Sequence, residues 1–332
     1  MRTPNLGRVS RWIILAAAAL VLPAGAVVAA TSPATATPPP TVATDGSGMY
    51  TTVQAAIDAV PSGNTGPVTI TVAPGTYREI VTVPSNKPYI TLRGLGRSPD
   101  STVIVNNRHA GQYGTTGSST MFVYGHDFTA RNLTIANDFD ESTATSGGQA
   151  VALYTRADRA VYRDVRVLGD QDTLYARGGR AYFRNCYVEG TVDFIFGAAS
   201  AVFDRCDIYQ KRLTGGPITA ASTPAESTYG FLFYRSTITG AADNVTQLGR
   251  PWYPDAQVVY RESWLSATIA TAQPWINMSA NSWTAARFSE YRNSGPGAAV
   301  NGNRPQLTDA DAENHTPQKY LAGSDGWNPF DL

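Results

Sequence analysis

Phe183-Arg-Asn-Cys-Tyr-Val188 is one copy of a six-residue phrase that returns through the middle of this chain. The preceding copy is Tyr162-Arg-Asp-Val-Arg-Val167, and the following copy is Phe203-Asp-Arg-Cys-Asp-Ile208. These copies are separated by 21 and 20 residues, whereas other steps along the chain take 27 to 32 residues. Further copies begin at Ala130, Phe233 and Tyr260. A recurring period of about 20 residues indicates one structural unit that is repeated, with insertions in some of its copies.

Each copy contains short runs of β-branched and aromatic residues, separated by Gly, Asn and Asp. Such runs predict short strands, and no long helical periodicity interrupts them. The period is too short for a strand–helix–strand unit or a propeller blade, and the chain lacks the Leu ladder and Asn column of leucine-rich repeats. We therefore predict an all-β chain folded as a parallel β-helix, in which each repeat forms one coil and the longer steps carry loops.

A short helix is predicted before the first coil. Thr52 is a suitable N-cap, the apolar residues between Val53 and Val60 share one face, and Pro61 follows the helix. Because the open end of a β-helix exposes unpaired strand edges, we expect this helix to cover the N-terminal end of the solenoid.

Four polar residues recur with the same period. The steps from Gln149 to Gln171 and from Gln171 to Asp193 are both 22 residues, and Asp172 lies 21 residues before Asp193. Residues one coil apart in a β-helix lie side by side, about 4.8 Å apart along the stack. These four side chains are therefore expected to meet on one face of three consecutive coils.

Two carboxyl groups this close cannot both ionise cheaply, so their surroundings must separate their pKa values. Arg250, in Leu248-Gly-Arg-Pro-Trp252, is the cation available to hold one carboxylate ionised while the other carries the proton. A single Asp would more often belong to a hydrogen-bonded ladder or a turn. Two Asp, two Gln and an Arg together favour a catalytic site.

The residues of this column lie in phrases that resemble the pectin methylesterase (pectinesterase) family, and the resemblance extends from about Thr44 to the C-terminus. It implies a right-handed parallel β-helix and an esterase that acts on methyl-esterified homogalacturonan. The matching phrases occur in the family's order and are Gly75-Thr-Tyr-Arg-Glu79, Gln149-Ala-Val-Ala-Leu153, Gln171-Asp-Thr-Leu-Tyr175, Gly190-Thr-Val-Asp-Phe-Ile-Phe-Gly197 and Leu248-Gly-Arg-Pro-Trp252.

The resemblance also implies a role for each residue of the column. Asp193 is the expected nucleophile and Asp172 the expected general acid and base, while Gln149 and Gln171 are expected to stabilise the oxyanion. Arg250 is expected to pair with Asp193 and to help bind the galacturonate. No metal or organic cofactor is expected.

The same resemblance predicts the residues around the sugar. The expected lining of the cleft consists of Trp252, Phe196 and Tyr175. Thr116 is a further candidate contact, with Thr115 beside it as an alternative. Trp275 and Met278 are interpreted as packing residues.

Other functions remain as alternatives. A β-helical pectate lyase would need a calcium-binding carboxylate cluster, and a polygalacturonase would need carboxylates placed for glycosidic cleavage. Neither requirement matches a column that contains two Gln. A non-catalytic carbohydrate-binding relative would be expected to lack Asp172, Asp193 or Arg250, and the related lipoprotein thioesterases carry a lipid-anchoring Cys that is missing here. No Gly-x-Ser-x-Gly elbow of a serine esterase occurs, and the three histidines are interpreted as turn or surface residues.

The N-terminus has the pattern of an export signal. Arg2, Arg8 and Arg11 precede the apolar run Trp12–Leu22, and small residues follow. Residues 1–36 are predicted to be a signal peptide and processing region, with cleavage within 26–36, although a membrane anchor is the alternative. Residues 37–43 are predicted to be a linker, and residues 44–332 one catalytic domain. The chain is thus expected to be secreted, with no room for the inhibitor-like pro-domain of many plant enzymes.

Charge and cysteine content agree with an extracellular carbohydrate partner. The formal net charge is zero, so no nucleic-acid or membrane partner is expected, and we predict a monomer that binds pectin.

Cys186 and Cys206 are the only cysteines, and their 20-residue spacing places them in equivalent positions of adjacent coils. In an exported protein this spacing predicts a disulfide, with two buried thiols as the alternative.

Overall fold

Alternating side-chain burial explains why this chain forms short strands. The computed structural model describes residues 41–330. In the strand Val68–Val72, Ile70 and Val72 are buried whereas Thr69 is exposed. Successive side chains on a strand point to opposite faces, so each short run supplies an apolar inner face and a polar outer face.

The strands are two to nine residues long. In chain order they are β1 (Val68–Val72), β2 (Gly75–Arg78), β3 (Val81–Val83), β4 (Ile90–Gly94), β5 (Thr102–Asn106), β6 (Met121–Val123), β7 (Thr129–Asn137), β8 (Leu153–Thr155), β9 (Ala160–Leu168), β10 (Leu174–Ala176), β11 (Arg180–Arg184), β12 (Tyr187–Gly190), β13 (Ile195–Gly197), β14 (Ser200–Asp204), β15 (Asp207–Gln210), β16 (Gly216–Ala221), β17 (Phe231–Tyr234), β18 (Thr237–Gly240), β19 (Thr246–Pro251), β20 (Gln257–Arg261), β21 (Trp264–Leu265) and β22 (Arg287–Tyr291).

All pairings between these strands are parallel. A smaller sheet has the order β19-β16-β13-β10-β8-β6-β3. A larger sheet has two branches, because the long strands β7 and β9 pair with one set of neighbours at their start and another at their end. In each coil the chain passes from the smaller sheet to the first branch and then to the second. The predicted parallel β-helix is confirmed.

The repeated phrase marks the corner between the two branches. At its centre one residue of each coil adopts a positive φ, which turns the chain while both flanking strands continue in register. These residues are Asn132, Asp164, Asn185, Arg205, Arg235, Glu262 and Arg292, with φ between 48° and 53°. Because each copy of the phrase turns the chain at this left-handed residue, the copies have the same length and the same position in their coils.

The interior is filled by side chains that stack from coil to coil. Neighbouring rings of the central stack lie nearly parallel: Phe183 is 4.6 Å from Tyr162 and 4.8 Å from Phe203, measured between ring centroids. The stack continues through Phe233 and Tyr260. Trp275 packs near its far end and is fully buried, as the packing interpretation of this residue predicted.

A short helix covers the N-terminal end, as predicted. The Thr52 hydroxyl caps α1 (Val53–Ala59) by accepting a hydrogen bond from the backbone N–H of Ala55. The Glu79 carboxylate accepts two more hydrogen bonds from backbone N–H groups at the start of this helix. The other helices are α2 (Ala110–Gly117), α3 (Asp309–Ala312) and α4 (Pro317–Ala322). Within residues 41–330 no helix has the length and apolar character needed to cross a bilayer.

The end of the expected linker packs in the core. Val42 is fully buried and forms a β-bridge with Val72, and Ala43 is buried beside it. The boundary at Thr44 stays a prediction. The predicted signal region, residues 1–36, lies outside the described residues.

The structure does not show the predicted disulfide and has the two cysteines as buried thiols, the arrangement given as the alternative. Cys186 and Cys206 are free and almost fully buried. Each thiol lies within hydrogen-bonding distance of a backbone carbonyl, that of Tyr162 for Cys186 and that of Phe183 for Cys206. In-register neighbours have parallel Cα–Cβ bonds, so their Cβ atoms stay near the strand spacing of about 4.8 Å. A disulfide needs Cβ atoms about 3.8 Å apart.

Candidate active site

The two aspartates occupy equivalent positions in adjacent coils. Asp172 lies two residues before β10 and Asp193 two residues before β13, and these strands pair in register. The Asp172 backbone N–H donates to Val192 O at 3.1 Å, and the Asp193 N–H donates to Pro217 O at 2.8 Å. Both residues have a positive φ, 65° and 49° respectively. This left-handed backbone is uncommon for residues other than glycine and recurs at functional sites.

One cavity of about 390 Å³ contains every residue of the predicted site. Asp172 and Asp193 lie at its base, each less than a tenth exposed. The cavity is lined by Thr115, Thr116, Gln149, Gln171, Asp172, Tyr175, Asp193, Phe196, Ala220, Arg250, Trp252 and Met278. None of the three histidines belongs to this lining.

Arg250 binds Asp193 through a two-pronged ion pair. Its Nε donates to Oδ1 at 2.8 Å and its Nη2 donates to Oδ2 at 2.6 Å. Arg250 is delivered by β19, where it lies in register with Ala220 of β16, and Ala220 in turn lies in register with Phe196. The guanidinium thus extends along the outer face of the smaller sheet, and its side chain remains about a quarter exposed to the cavity.

The surroundings affect the pKa values of the two carboxyl groups differently. Burial raises the pKa of Asp172 well above its usual value, the nearby Asp193 carboxylate raises it further, and Arg250 lowers it only in part. Burial also raises the pKa of Asp193, but here the two hydrogen bonds and the charge of Arg250 act directly against burial. The arrangement favours a protonated Asp172 beside an ionised Asp193.

The two predicted oxyanion residues lie beside the aspartates on the same face. A backbone hydrogen bond joins their coils, because the Ala150 N–H donates to Gln171 O at 3.0 Å. A second one, from the Ala110 N–H at the start of α2 to Gln149 O at 2.8 Å, ties Gln149 to this helix. Among residues 41–330, neither side-chain amide has a hydrogen-bond partner. Both amides are therefore available to a molecule bound in the cavity.

Aromatic side chains form a ladder along the outer face of the smaller sheet. Tyr175 and Phe196 stack with ring centroids 4.1 Å apart, and Trp252 lies 6.0 Å from Phe196. The ladder extends beyond the predicted lining, because Tyr154 contacts Tyr175 at 5.2 Å and Phe122 is in register with Tyr154. Tyr154 precedes Tyr175 by 21 residues, so the coil period itself could have identified it.

Two smaller differences concern the rim of the cavity. Met278 packs against the aromatic cluster, as interpreted, and it also lines the cavity. It belongs to a turn that is fastened to the site, because the Asn281 side chain donates to Trp252 O at 2.7 Å. Thr115 and Thr116 both line the cavity from α2, so the structure includes the predicted contact and its alternative.

Comparisons with known proteins agree on one family. Residues 40–324 match the family model described as Pectinesterase. Pectinesterase 31 of Arabidopsis thaliana is 40% identical over 298 residues, covering 84% of this chain and 91% of its own length. Pectin methylesterase from Erwinia chrysanthemi superimposes with a TM-score of 0.76 at 32% identity, covering 87% of this chain and 97% of its own. Pectin methylesterase from carrot gives a TM-score of 0.78 at 31% identity, with coverages of 86% and 93%.

The family model spans most of the chain, and the similarity extends over the strands that carry the cavity. This chain therefore belongs to the pectinesterase family and is a carboxylic ester hydrolase.

Proposed function

We propose that this enzyme removes methyl esters from homogalacturonan, with Asp193 as nucleophile and Asp172 as general acid and base. The observation that carries the proposal is that two neighbouring carboxyl groups have different electrostatic surroundings. Arg250 binds both oxygens of Asp193, whereas Asp172 is buried beside it without a cation of its own. A charged carboxylate and a neutral carboxylic acid in one cavity are the pair that acyl transfer requires.

The reaction proceeds in two halves. Ionised Asp193 attacks the ester carbonyl carbon at C6 of a galacturonate, and the tetrahedral intermediate then collapses with cleavage of the bond to the methoxy oxygen. Protonated Asp172 gives its proton to that oxygen, so methanol leaves and a mixed anhydride remains on Asp193. Asp172, now ionised, takes a proton from a water molecule that hydrolyses the anhydride. This second half restores both side chains.

Gln149 and Gln171 stabilise the negative oxygen of each tetrahedral intermediate. Their amide N–H groups have no partner among residues 41–330 and line the same cavity as Asp193. A donor held at the developing oxyanion typically accounts for about 3–4 kcal/mol of barrier lowering, because it needs no reorganisation when charge appears.

The aromatic ladder and Arg250 bind the polymer. Tyr175, Phe196 and Trp252 offer flat apolar surfaces against which sugar rings pack. The exposed part of the Arg250 guanidinium lies beside them and suits a galacturonate carboxylate. A related pectin methylesterase has been solved in complex with a hexasaccharide, at a TM-score of 0.76 and 32% identity, which supports a chain-like ligand.

Secretion and a monomeric state are further parts of the proposal. The N-terminal basic residues, apolar run and small residues support export, and the near-zero formal charge supports a freely diffusing extracellular enzyme. N-terminal sequencing of the exported protein tests for cleavage within 26–36, and size-exclusion chromatography tests the monomer.

Methanol release from highly methylated pectin tests the function directly. The wild-type enzyme should release methanol and acid together, at the same rate with and without a chelator. Asp193→Asn should be inactive, and it is a fair substitution because Asn tolerates the positive φ of this position. Unsaturated products would indicate a lyase and new reducing ends a polygalacturonase. Full activity in a folded Asp193→Asn enzyme would overturn the assignment of the nucleophile.

A further inference from the structure

A row of three arginines crosses the outer face of the first branch of the larger sheet. Arg93 on β4 is in register with Arg131 on β7, and Arg131 is in register with Arg163 on β9. Adjacent members of this arginine row therefore lie one strand spacing apart, about 4.8 Å between backbones. Like charges placed directly opposite each other on neighbouring strands destabilise a sheet, so the row needs an explanation.

The described residues do not neutralise this row. Within residues 41–330, no carboxylate lies within ion-pair distance of Arg93, Arg131 or Arg163. The Nε atoms of Arg131 and Arg163 are buried and have no hydrogen-bond partner there. Burial, together with the charges of Arg163 and Arg93, lowers the pKa of Arg131. The Asp164 carboxylate acts on Arg131 through its charge, but its hydrogen-bond partner is the Asn185 side chain, which donates to it.

The next arginine along the sheet, Arg184, has a charge that is paired within the fold. Arg184 on β11 is in register with Arg163, yet its guanidinium binds the Asp204 carboxylate at 3.1 Å and the Tyr182 hydroxyl at 3.1 Å. Within residues 41–330 the fold thus supplies a carboxylate at Arg184 and none at the three preceding positions, where Arg163 only donates a hydrogen bond from Nη2 to the Pro329 carbonyl at 3.5 Å.

The covering of the sheet changes one coil earlier, between β7 and β9, so Arg163 lies on the first covered coil. From Val161 onward the outer face is apolar, and the C-terminal segment packs over it with Tyr320 and Leu321. On the three preceding coils the equivalent outer residues are Thr69, Thr91 and Thr129, which lie in register with one another and then with Val161. These three threonines are hydrogen-bonding residues on a face that the C-terminal segment leaves open.

Threonines and arginines together line a shallow depression. Its volume is about 610 Å³, and its lining consists of Thr69, Thr91, Arg93, Thr129 and Arg131. The hydroxyl groups and guanidinium groups lie in two parallel rows that run along the helix axis. Such a surface matches a linear ligand that carries carboxylates and hydroxyl groups at regular intervals.

We propose that the arginine row is a second, non-catalytic binding site for de-esterified homogalacturonan, the product of the reaction. The identity of this ligand rests on the proposed function, because each hydrolysed ester adds one carboxylate to the polymer and so makes it complementary to the row. The row lies on a different sheet from the aspartates, so one enzyme molecule holds de-esterified chain there while its cavity stays open to methylated segments.

Retention on immobilised polygalacturonate tests the site. The wild-type enzyme should be retained at low ionic strength, and retention should fall as salt screens the charges. The double variant Arg93→Gln/Arg131→Gln should bind soluble de-esterified oligogalacturonate at this site about tenfold or more weakly, as expected for the loss of charge-assisted hydrogen bonds. Its kcat and KM on a short methylated oligogalacturonate should be unchanged, because neither arginine lines the catalytic cavity.

The control is Arg205→Gln, which removes an exposed arginine from the corner after β14, where it lies 3.9 Å from the Asp204 carboxylate. It should be retained like the wild-type enzyme. Equal loss in Arg205→Gln, equal retention of the double variant, or equal binding of the wild type to a carboxymethyl resin would each overturn the proposal. Arg131→Lys preserves the charge without the planar fork and should bind with intermediate strength, so it tests the site even if the double variant does not fold.

Failure of this inference is distinguishable from failure of the catalytic proposal. Retention needs no turnover, so it can be measured in an Asp193→Asn background, where every catalytic contribution is removed. Loss of methanol release with retention intact concerns the cavity alone, and loss of retention with methanol release intact concerns the arginine row alone. Thermal unfolding gives one more readout: without ligand the double variant should be as stable as the wild type or more stable, because repulsion is relieved. A large destabilisation would point to a structural role.

Discussion

Replacing Arg250 with glutamine should reduce activity sharply and move the remaining activity to higher pH. The substitution removes two charge-assisted hydrogen bonds, of 2.8 Å and 2.6 Å, from an Asp193 side chain that is only 8% exposed. Breaking one side of a buried ion pair costs about 3–5 kcal/mol, because the remaining charge has no compensation. If that cost falls on the ionised nucleophile, kcat/KM decreases by about 10²- to 10⁴-fold.

The pH dependence follows from the sign of each contribution. Burial raises the pKa of Asp193 and Arg250 lowers it. Without Arg250 the pKa rises further, so the nucleophile becomes ionised only at higher pH. The acid limb of the kcat/KM profile should therefore shift to higher pH, and part of the lost activity should return as the pH is raised. Initial rates of methanol release across the pH range measure both effects.

The matched variant Arg250→Lys separates charge from geometry. Lysine keeps the positive charge but cannot bind both carboxylate oxygens in the planar manner of arginine, so its profile should lie between those of the wild type and Arg250→Gln. Thermal unfolding of each variant shows whether the fold is intact. An acid limb that stays in place or moves to lower pH in Arg250→Gln would refute the reasoning.

Three further predictions concern the other buried polar groups. Gln171→Ala and Gln149→Ala should each lower kcat by about 10²- to 10³-fold in steady-state assays, and an effect confined to KM would contradict their oxyanion role. Asp172→Asn should be inactive yet more stable at neutral pH. Because the folded-state pKa of Asp172 is raised, the wild type loses stability as the pH rises from about 3.9 through that raised pKa. Asn cannot release a proton, so the variant does not lose this stability. A melting temperature at pH 7 no higher than that of the wild type would argue against it. Arg304→Met should destabilise the fold by about 3–5 kcal/mol in denaturant unfolding, because it leaves the fully enclosed Glu290 carboxylate without its partner, and adding Glu290→Gln should restore part of the loss.

The coil period made most of the fold predictable. The steps of 21 residues from Arg163 to Arg184 and of 20 residues from Arg184 to Asp204 placed neighbouring coils in register, and the register of β9, β11 and β14 agrees with them. The left-handed corner beside each of these residues was not predicted. Its residue changes from Asp164 to Asn185 to Arg205, so residue type alone does not reveal the shared conformation.

The residues of the site also fall into two groups, those that the coil period predicts and those that it does not. Gln171, Asp172 and Asp193 could be brought together from spacing, because they lie within consecutive coils that contain no insertion. Met278 could not, because it is carried by the long connection between β21 and β22, where no repeat fixes the position of the chain. Coil spacing placed Cys186 and Cys206 in adjacent coils, but spacing alone does not decide whether two neighbouring thiols are bonded.

The uninterrupted coil between Asp172 and Asp193 limits how enzymes of this kind can diverge. Adding a residue within a strand of this coil would carry one carboxyl group out of phase with the other, so variation in length must fall in the turns between strands or in other coils. Other coils already contain extra loops, and the connection between β21 and β22 that carries Met278 is one of them. Enzymes of this family can therefore differ in the walls of the cavity through the lengths of their loops, while the two carboxyl groups keep their relative positions.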